Sequence, residues 1–351
     1  MTITINKKEY PLYTLDAGAQ ELSKKRWDSI AKPLHSLGKM EDLVIQTAGI
    51  TGDANVTYDK KALIVMCADN GVVAEGVTQS EQNVTAIVSE NFLSDKATAA
   101  ILCKQTGAEI FPIDIGIAVD TKLENHKIAY GTKNMAKEPA MTREEAEKAM
   151  EVGIEKVREL SGQGYKIIAT GEMGIGNTTT SSALASYFLQ EDVEKMTGRG
   201  AGLTSKALEK KIAVVRKAIA DYSPAFTDAI DALAALGGFD IAGMAGVFLG
   251  GAIYRVPIVM DGFISSTAAL TATRICPACK DFIMASHVSK EPAAEKILAA
   301  MDKEAALHCD MCLGEGTGAV TLFPILDLAT QIYEQMSTFE DIEIDAYVEL
   351  K

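Results

Sequence analysis

The chain has 351 residues, 48% of them hydrophobic, and a formal net charge of -14. That length and apolar share can bury a large core, in one large domain or in a large and a small one. The acidic balance leaves no basic stripe for a nucleic-acid backbone or an anionic membrane surface, so a small ligand is the expected partner, with no nucleic acid and no membrane.

The opening residues, "MTITINKKEYPLYTLDAG", lack the apolar core of a signal peptide. The most apolar region, "IAGMAGVFLGGAIY" (241–254), is stopped by Asp240 and Arg255 and is too short to span a bilayer. A cytoplasmic location is expected. Residues from about 15 to 50 and from about 325 onward carry helical patterns without strand signals. They are expected to pair as a small helical domain, 1–60 with 325–351, beside a large α/β catalytic domain over 61–324.

Five apolar, mostly β-branched runs have strand length: "ALIVMCAD" (62–69), "AEIFPIDIGI" (108–117), "YKIIATGE" (165–172), "VPIVMDG" (256–262) and "DFIMASH" (281–287). Unbroken apolar runs of this kind suit parallel strands buried on both faces. Helical patterns separate them, among them "TREEAEKAMEVGIEKVREL", which opens on a capping box of Thr142 and Glu145. The fold class that follows is α/β: a parallel, Rossmann-like sheet flanked by helices, with the small helical domain built from both chain ends. Asp69, Asp114, Glu172, Asp261 and the Ser286–His287 pair fall where these strands finish. Open parallel sheets bind ligands beyond their carboxyl ends, so the five positions are expected around one crevice, although each alone could be a turn acid or cap.

Three glycine turns follow the strands. "GEMGIGNTTTSSAL" (171–184) brings Gly171, Gly174 and Gly176 ahead of a helix that starts in threonines, an anion cradle or else a tight capped turn. Neither the dinucleotide fingerprint nor a P-loop fits it. "TGRGAGLTSKALEKKIAVV" places Gly198, Gly200 and Gly202 before a helix capped by Thr204, with Lys211 at the edge of its apolar stripe, where an ammonium either snorkels to water or meets an anion. In "LGEGTGAV" (313–320), Glu315 stands between two glycines beside Leu313; partial burial there would raise its pKa and make it a better proton acceptor. The glycines of "GGFDIAGMAGVFLGGA" read as close helix packing.

Two C-x-x-C pairs, Cys276 with Cys279 and Cys309 with Cys312, have zinc spacing. Neither is followed by the free glycine-rich turn of a zinc knuckle, since one runs into an apolar strand and the other into the Glu315 turn. No metal is expected.

The segments "MCADNGVVAEGVTQSEQNVTAIVSENF" (66–92), "GEMGIGNTTTSSAL" (171–184), "GGFDIAGMAGVFLGGAIYRVPIVMDGFISSTAAL" (237–270), "SHVS" (286–289) and "LGEGTGA" (313–319) together resemble the nicotinate mononucleotide:5,6-dimethylbenzimidazole phosphoribosyltransferases, from about residue 33 to about residue 330. The resemblance implies a pentosyltransferase of cobamide (vitamin B12) lower-ligand assembly. It would move the 5-phosphoribosyl group of nicotinate mononucleotide to an aromatic base with inversion, giving an α-ribotide and nicotinate without metal or other cofactor. It implies sites near a subunit interface, in a homodimer or a heterodimer with a paralogous subunit. Glu315 matches the catalytic base, and Glu172 a second acid that relays the proton or orients the acceptor. Gly174, Asn177, Thr178, Thr179, Gly200, Gly202, Lys211 and Ser289 match positions around the phosphoribosyl phosphate. Ser80, Val88, Met173, Ile175 and Leu313 match the acceptor pocket.

The chain departs from the family pattern at Asn70, where His is common, at His35, where Gly is usual, and at Val88, often Gln. These leave the acceptor open between benzimidazoles, purines and phenols. Two other function classes compete: a catalytically idle paralogue supporting a partner, against which the intact Glu172 and Glu315 weigh, and a nucleotide-dependent oxidoreductase, which lacks its glycine spacing.

Overall fold

The computed structural model describes residues 1–200 and 202–348. A six-stranded, wholly parallel sheet forms its centre, in the order β5-β4-β3-β6-β7-β8. Five of these strands are the apolar runs, at β3 Lys61–Ala68, β4 Ala108–Gly116, β6 Ile167–Met173, β7 Ile258–Met260 and β8 Ile283–Ala285. The short edge strand β5, Glu124–Asn125, has no apolar pattern and is held by two residues of β4. All eight residues of β3 are buried, because helices cover both faces of the sheet.

The helix packing follows from small residues. Arg143–Gly162 starts on the expected capping box, with Thr142 Oγ1 accepting from Glu145 N at 3.2 Å and Glu145 Oε2 accepting from Thr142 N at 2.7 Å. It lies against Phe239–Tyr254, where a Cβ on Gly153 would come 2.7 Å from Val247 N. The glycines of this helix pair therefore serve close approach, as the sequence suggested.

One element has no counterpart in the sequence reading. Residues 1–11 form an antiparallel hairpin, β1 Thr2–Ile5 with β2 Lys8–Pro11, whose turn residues Asn6 and Lys7 have φ of 47° and 63°. Two left-handed residues in a two-residue turn match the twist of a hairpin. Helices Ala17–Ser29 and Lys39–Thr51 follow, and the C-terminal half of Thr317–Gln335 packs with them: the Trp27 and Tyr333 rings lie 5.0 Å apart. Among the described residues, no helix is long and apolar enough to cross a membrane.

Candidate active site

The strand order reverses at β3, which has β4 on one side and β6 on the other. A crevice is expected beside such a switch point. A cleft of about 330 Å³ lies there, over the carboxyl ends of β6, β7 and β8, with Glu172, Asp261 and His287 in its walls. Asp69 and Asp114, expected in the same crevice, are elsewhere. Asp114 pairs with Lys127 at 2.8 Å and accepts from Ile117 N at 2.9 Å, and Asp69 accepts from Ala118 N at 2.8 Å, so both acids organise the loop after β4. Ser286 donates to Met260 O at 2.6 Å and ties β8 to β7.

The cleft floor is the turn after β6. Gly176 has φ of +95°, a conformation that favours glycine, and it starts helix Asn177–Leu189 toward the cleft. Ile175 N donates to Thr85 Oγ1 at 3.1 Å, which ties this turn to helix Val84–Asn91 and brings Val88 to the wall. Thr178 receives a hydrogen bond at 2.9 Å from Lys211 Nζ, which also donates to Gly198 O at 3.2 Å. Lys211 has no solvent exposure, so it does not snorkel. Burial lowers its pKa to about 8, partly offset by the facing Glu291. A helix start, a hydroxyl and a buried ammonium together form a site for an anion such as phosphate.

The acids gather on the other side. The loop carrying Glu315 lies directly on β6: a Cβ on Gly171 would come 2.7 Å from Glu315 O. Gly314, Glu315 and Gly316 are all left-handed, with φ of 89°, 62° and 82°, which turns the chain sharply into helix Thr317–Gln335. Asp261 fixes this start by accepting from Gly316 N at 3.1 Å and Ala319 N at 3.0 Å. Glu315 is half-buried in the cleft wall, and burial, with Asp261 adding, raises its pKa. Glu172 is buried and accepts from the Asn177 side-chain amide and from Glu315 N, the latter at 3.4 Å. Burial pushes its pKa up to about 8, with the Asp240 charge the next cause.

A phosphoribosyltransferase family model matches residues 12–344. The chain is 49% identical over 340 residues to the nicotinate-nucleotide--dimethylbenzimidazole phosphoribosyltransferase of Clostridium acetobutylicum, covering 96% of this chain and 97% of that one. To the protein of the same name from Acetivibrio thermocellus it is 48% identical over 330 residues, covering 93% and 94%. The crystal structure of CobT from Thermus thermophilus superposes with a TM-score of 0.89 at 34% identity, covering 93% of this chain and 99% of that one. The chain belongs to this phosphoribosyltransferase family.

As a phosphoribosyltransferase, the chain carries most of the residues singled out in its sequence to this one cleft: Glu172, Glu315, Gly174, Asn177, Thr178, Gly200, Ser289, Val88, Met173, Ile175 and Leu313 all line it. Lys211 reaches it through Thr178. Four do not line it, Lys211 among them. Thr179 is wholly buried, Gly202 accepts through its carbonyl from the Gln79 side chain, and Ser80 N donates to Thr78 Oγ1 at 3.4 Å on the loop leading to Val88. Thr78, Phe263 and Glu291 line the cleft without having been singled out, and Cys312, noted only for its zinc-like spacing, lines it too. Asp240, buried beneath it, reads in the sequence only as the stop of the apolar run that follows. All six cysteines are free, Cys276 and Cys279 buried, Cys309 and Cys312 exposed. No cluster of three or more His, Cys, Asp or Glu residues suited to a metal occurs among the described residues.

Proposed function

We propose that this phosphoribosyltransferase transfers the 5-phosphoribosyl group of nicotinate mononucleotide to a lower-ligand base, 5,6-dimethylbenzimidazole or a related ring, giving an α-ribotide and nicotinate for cobamide assembly. The phosphate sits against the start of helix Asn177–Leu189, with the Thr178 hydroxyl and Lys211 behind it and Gly200 and Ser289 beside it. The acceptor lies between Val88, Met173, Ile175 and Leu313. One ring nitrogen of the acceptor forms the new bond to the sugar carbon as the bond to the nicotinate nitrogen breaks. Nicotinate leaves from a cationic pyridinium, so the electron pair goes to a group that becomes neutral at nitrogen. The proton on the other acceptor nitrogen passes to the Glu315 carboxylate. Positioning and one raised-pKa base suffice for this chemistry.

The observation that carries this reading is the shared floor. One turn, Glu172 to Thr178, puts an acid and the anion cradle on opposite sides of a single cleft, with the Glu315 loop resting on the same strand. The family match supplies the substrate class. The same proposal includes a dimer, of identical or paralogous subunits, a cytoplasmic location, and a small helical unit of residues 1–60 with 325–351. Helix Thr317–Gln335 runs through position 325 and would join that unit to the catalytic one. The test is to incubate the purified chain with nicotinate mononucleotide and a panel of benzimidazoles, purines and phenols, and to follow each ribotide and free nicotinate by mass spectrometry. Product from at least one ring with equimolar nicotinate is expected; none from any ring would overturn the proposal.

A further inference from the structure

Beneath the cleft floor a second buried acid faces Glu172. Asp240 has no solvent exposure, and the Asn177 side-chain amide donates to both acids, to Glu172 Oε2 and, at 3.1 Å, to Asp240 Oδ2. One amide bridges two buried carboxyl groups, Asp240 out of reach of solvent and Glu172 at the cleft wall. Two buried carboxylates this close cannot both ionise cheaply, so at neutral pH the pair holds a proton.

The surroundings decide where that proton rests. Asp240 lies in the first turn of the 16-residue helix Phe239–Tyr254, where the helix dipole favours an anion, and its Oδ1 accepts from Ile241 N at 3.0 Å. Glu172 has less support. Beyond the shared amide, it receives only the long bond from Glu315 N among the described residues. Other titratable groups around Glu172 are Asp261 at the end of β7, the Cys67 thiol of β3, and the Glu315 and His287 side chains of the same cleft, and among the described residues none of these side chains pairs with its carboxyl. Negative charge therefore collects on Asp240.

We propose that Asp240 is a positioning residue for the transfer reaction: its charge, held on the far side of the shared Asn177 amide, outweighs that amide's hydrogen bond and keeps the proton on Glu172, so that Glu172 enters the cleft as a carboxylic acid that donates a hydrogen bond, leaving Glu315 as the proton acceptor. Two neighbouring acids thus take opposite roles because their environments differ. The ordering of the two pKa values agrees, with burial first among the causes for each: about 8 for Glu172 and about 6 for Asp240. The inference rests on the proposed function for its catalytic meaning, but the proton's location does not.

Infrared difference spectra of the ligand-free protein between pH 6 and pH 10 read that location directly. The wild type is expected to show a protonated-carboxyl C=O band at pH 7 that is lost near pH 8. E172Q should lack it, and in D240N it should titrate lower by about one pH unit or more. A wild type without the band at pH 7, an E172Q protein that keeps it, or a D240N protein that titrates where the wild type does would each overturn the proposal. In turnover, the alkaline limb of kcat for D240N should move down by the same amount while KM for nicotinate mononucleotide stays within about threefold. Activity reduced equally at every pH, with the limb unmoved, would mark Asp240 as merely structural. Because Asp240 is wholly buried, D240N could fail to fold; the wild-type and E172Q spectra then decide alone. If the band behaves as expected but no substrate pair turns over, the functional reading fails and the proton assignment stands.

Discussion

The main-chain N–H of Glu315 donates to the side chain of Glu172 across 3.4 Å, so the two acids meet through the backbone of one and the carboxyl of the other. That contact leaves the Glu315 carboxyl in the cleft wall. It also fixes the loop against β6 without pairing two negative charges. The two acids should therefore have roles that substitution can separate.

In the proposed reaction Lys211 supplies the anion-binding charge. Its Nζ sits behind Thr178 with no solvent exposure, and hydrogen bonds to charged groups are worth about 1.5–3 kcal/mol. Lys211→Met should raise KM for nicotinate mononucleotide by roughly 10- to 100-fold and lower kcat much less. In the ligand-free enzyme the ammonium loses its proton through about pH 8, so the wild-type KM should climb above that pH and the variant's should not. Steady-state kinetics from pH 6 to 9 check both.

The raised pKa of Glu172 has a thermodynamic consequence. Its folded value, about 8, lies above the ordinary value of 4.5, so between those limits the folded state holds a proton that the unfolded chain has released. Stability must therefore fall as pH rises through that window and level off above it. Glu172→Gln removes the group, and the melting temperature of the variant should decline less between pH 5 and pH 8 than that of the wild type. Parallel curves in differential scanning calorimetry would contradict the assignment.

Much of this is legible in the chain, and the failures have physical causes. The strands can be read because a sheet buried on both faces demands unbroken apolar runs, and β3 is buried along its whole length. The Glu172 to Thr178 turn can be read because glycines and threonines there have few other uses. The hairpin of residues 1–11 escapes the reading although Asn6 and Lys7 after alternating Thr2, Ile3, Thr4 and Ile5 are a hairpin signal. Lys211 is ambiguous because periodicity places a residue on a stripe edge without saying whether a loop closes over it, and here Gly198 and Thr178 do. Asp69 and Asp114 are expected in the crevice because strand ends look alike in sequence. Only the strand order shows that the ends of β3 and β4 support a neighbouring loop.

In the proposed reaction Val88 sets the acceptor range. It lines the cleft with Met173, Ile175 and Leu313, apolar side chains that select by shape and area more than by polar matching. Such a wall separates similar rings by roughly 1–3 kcal/mol per methylene-sized difference. Benzimidazoles and at least one smaller ring, a phenol included, should therefore be accepted, the phenol giving an O-linked ribotide. Val88→Gln should narrow that range in competition assays, and an unchanged product profile would remove Val88 as the cause.

Glu315 as the base is the central claim, and Glu315→Gln tests it most directly because the amide keeps the shape and loses the proton acceptor. Nicotinate release should be followed at saturating nicotinate mononucleotide and 5,6-dimethylbenzimidazole, with substrate binding measured separately by calorimetry. Turnover is predicted to fall by on the order of 10²–10⁴ while nicotinate mononucleotide binds as in the wild type. Turnover within a few-fold of the wild type would contradict the account and move the base to another group in the cleft.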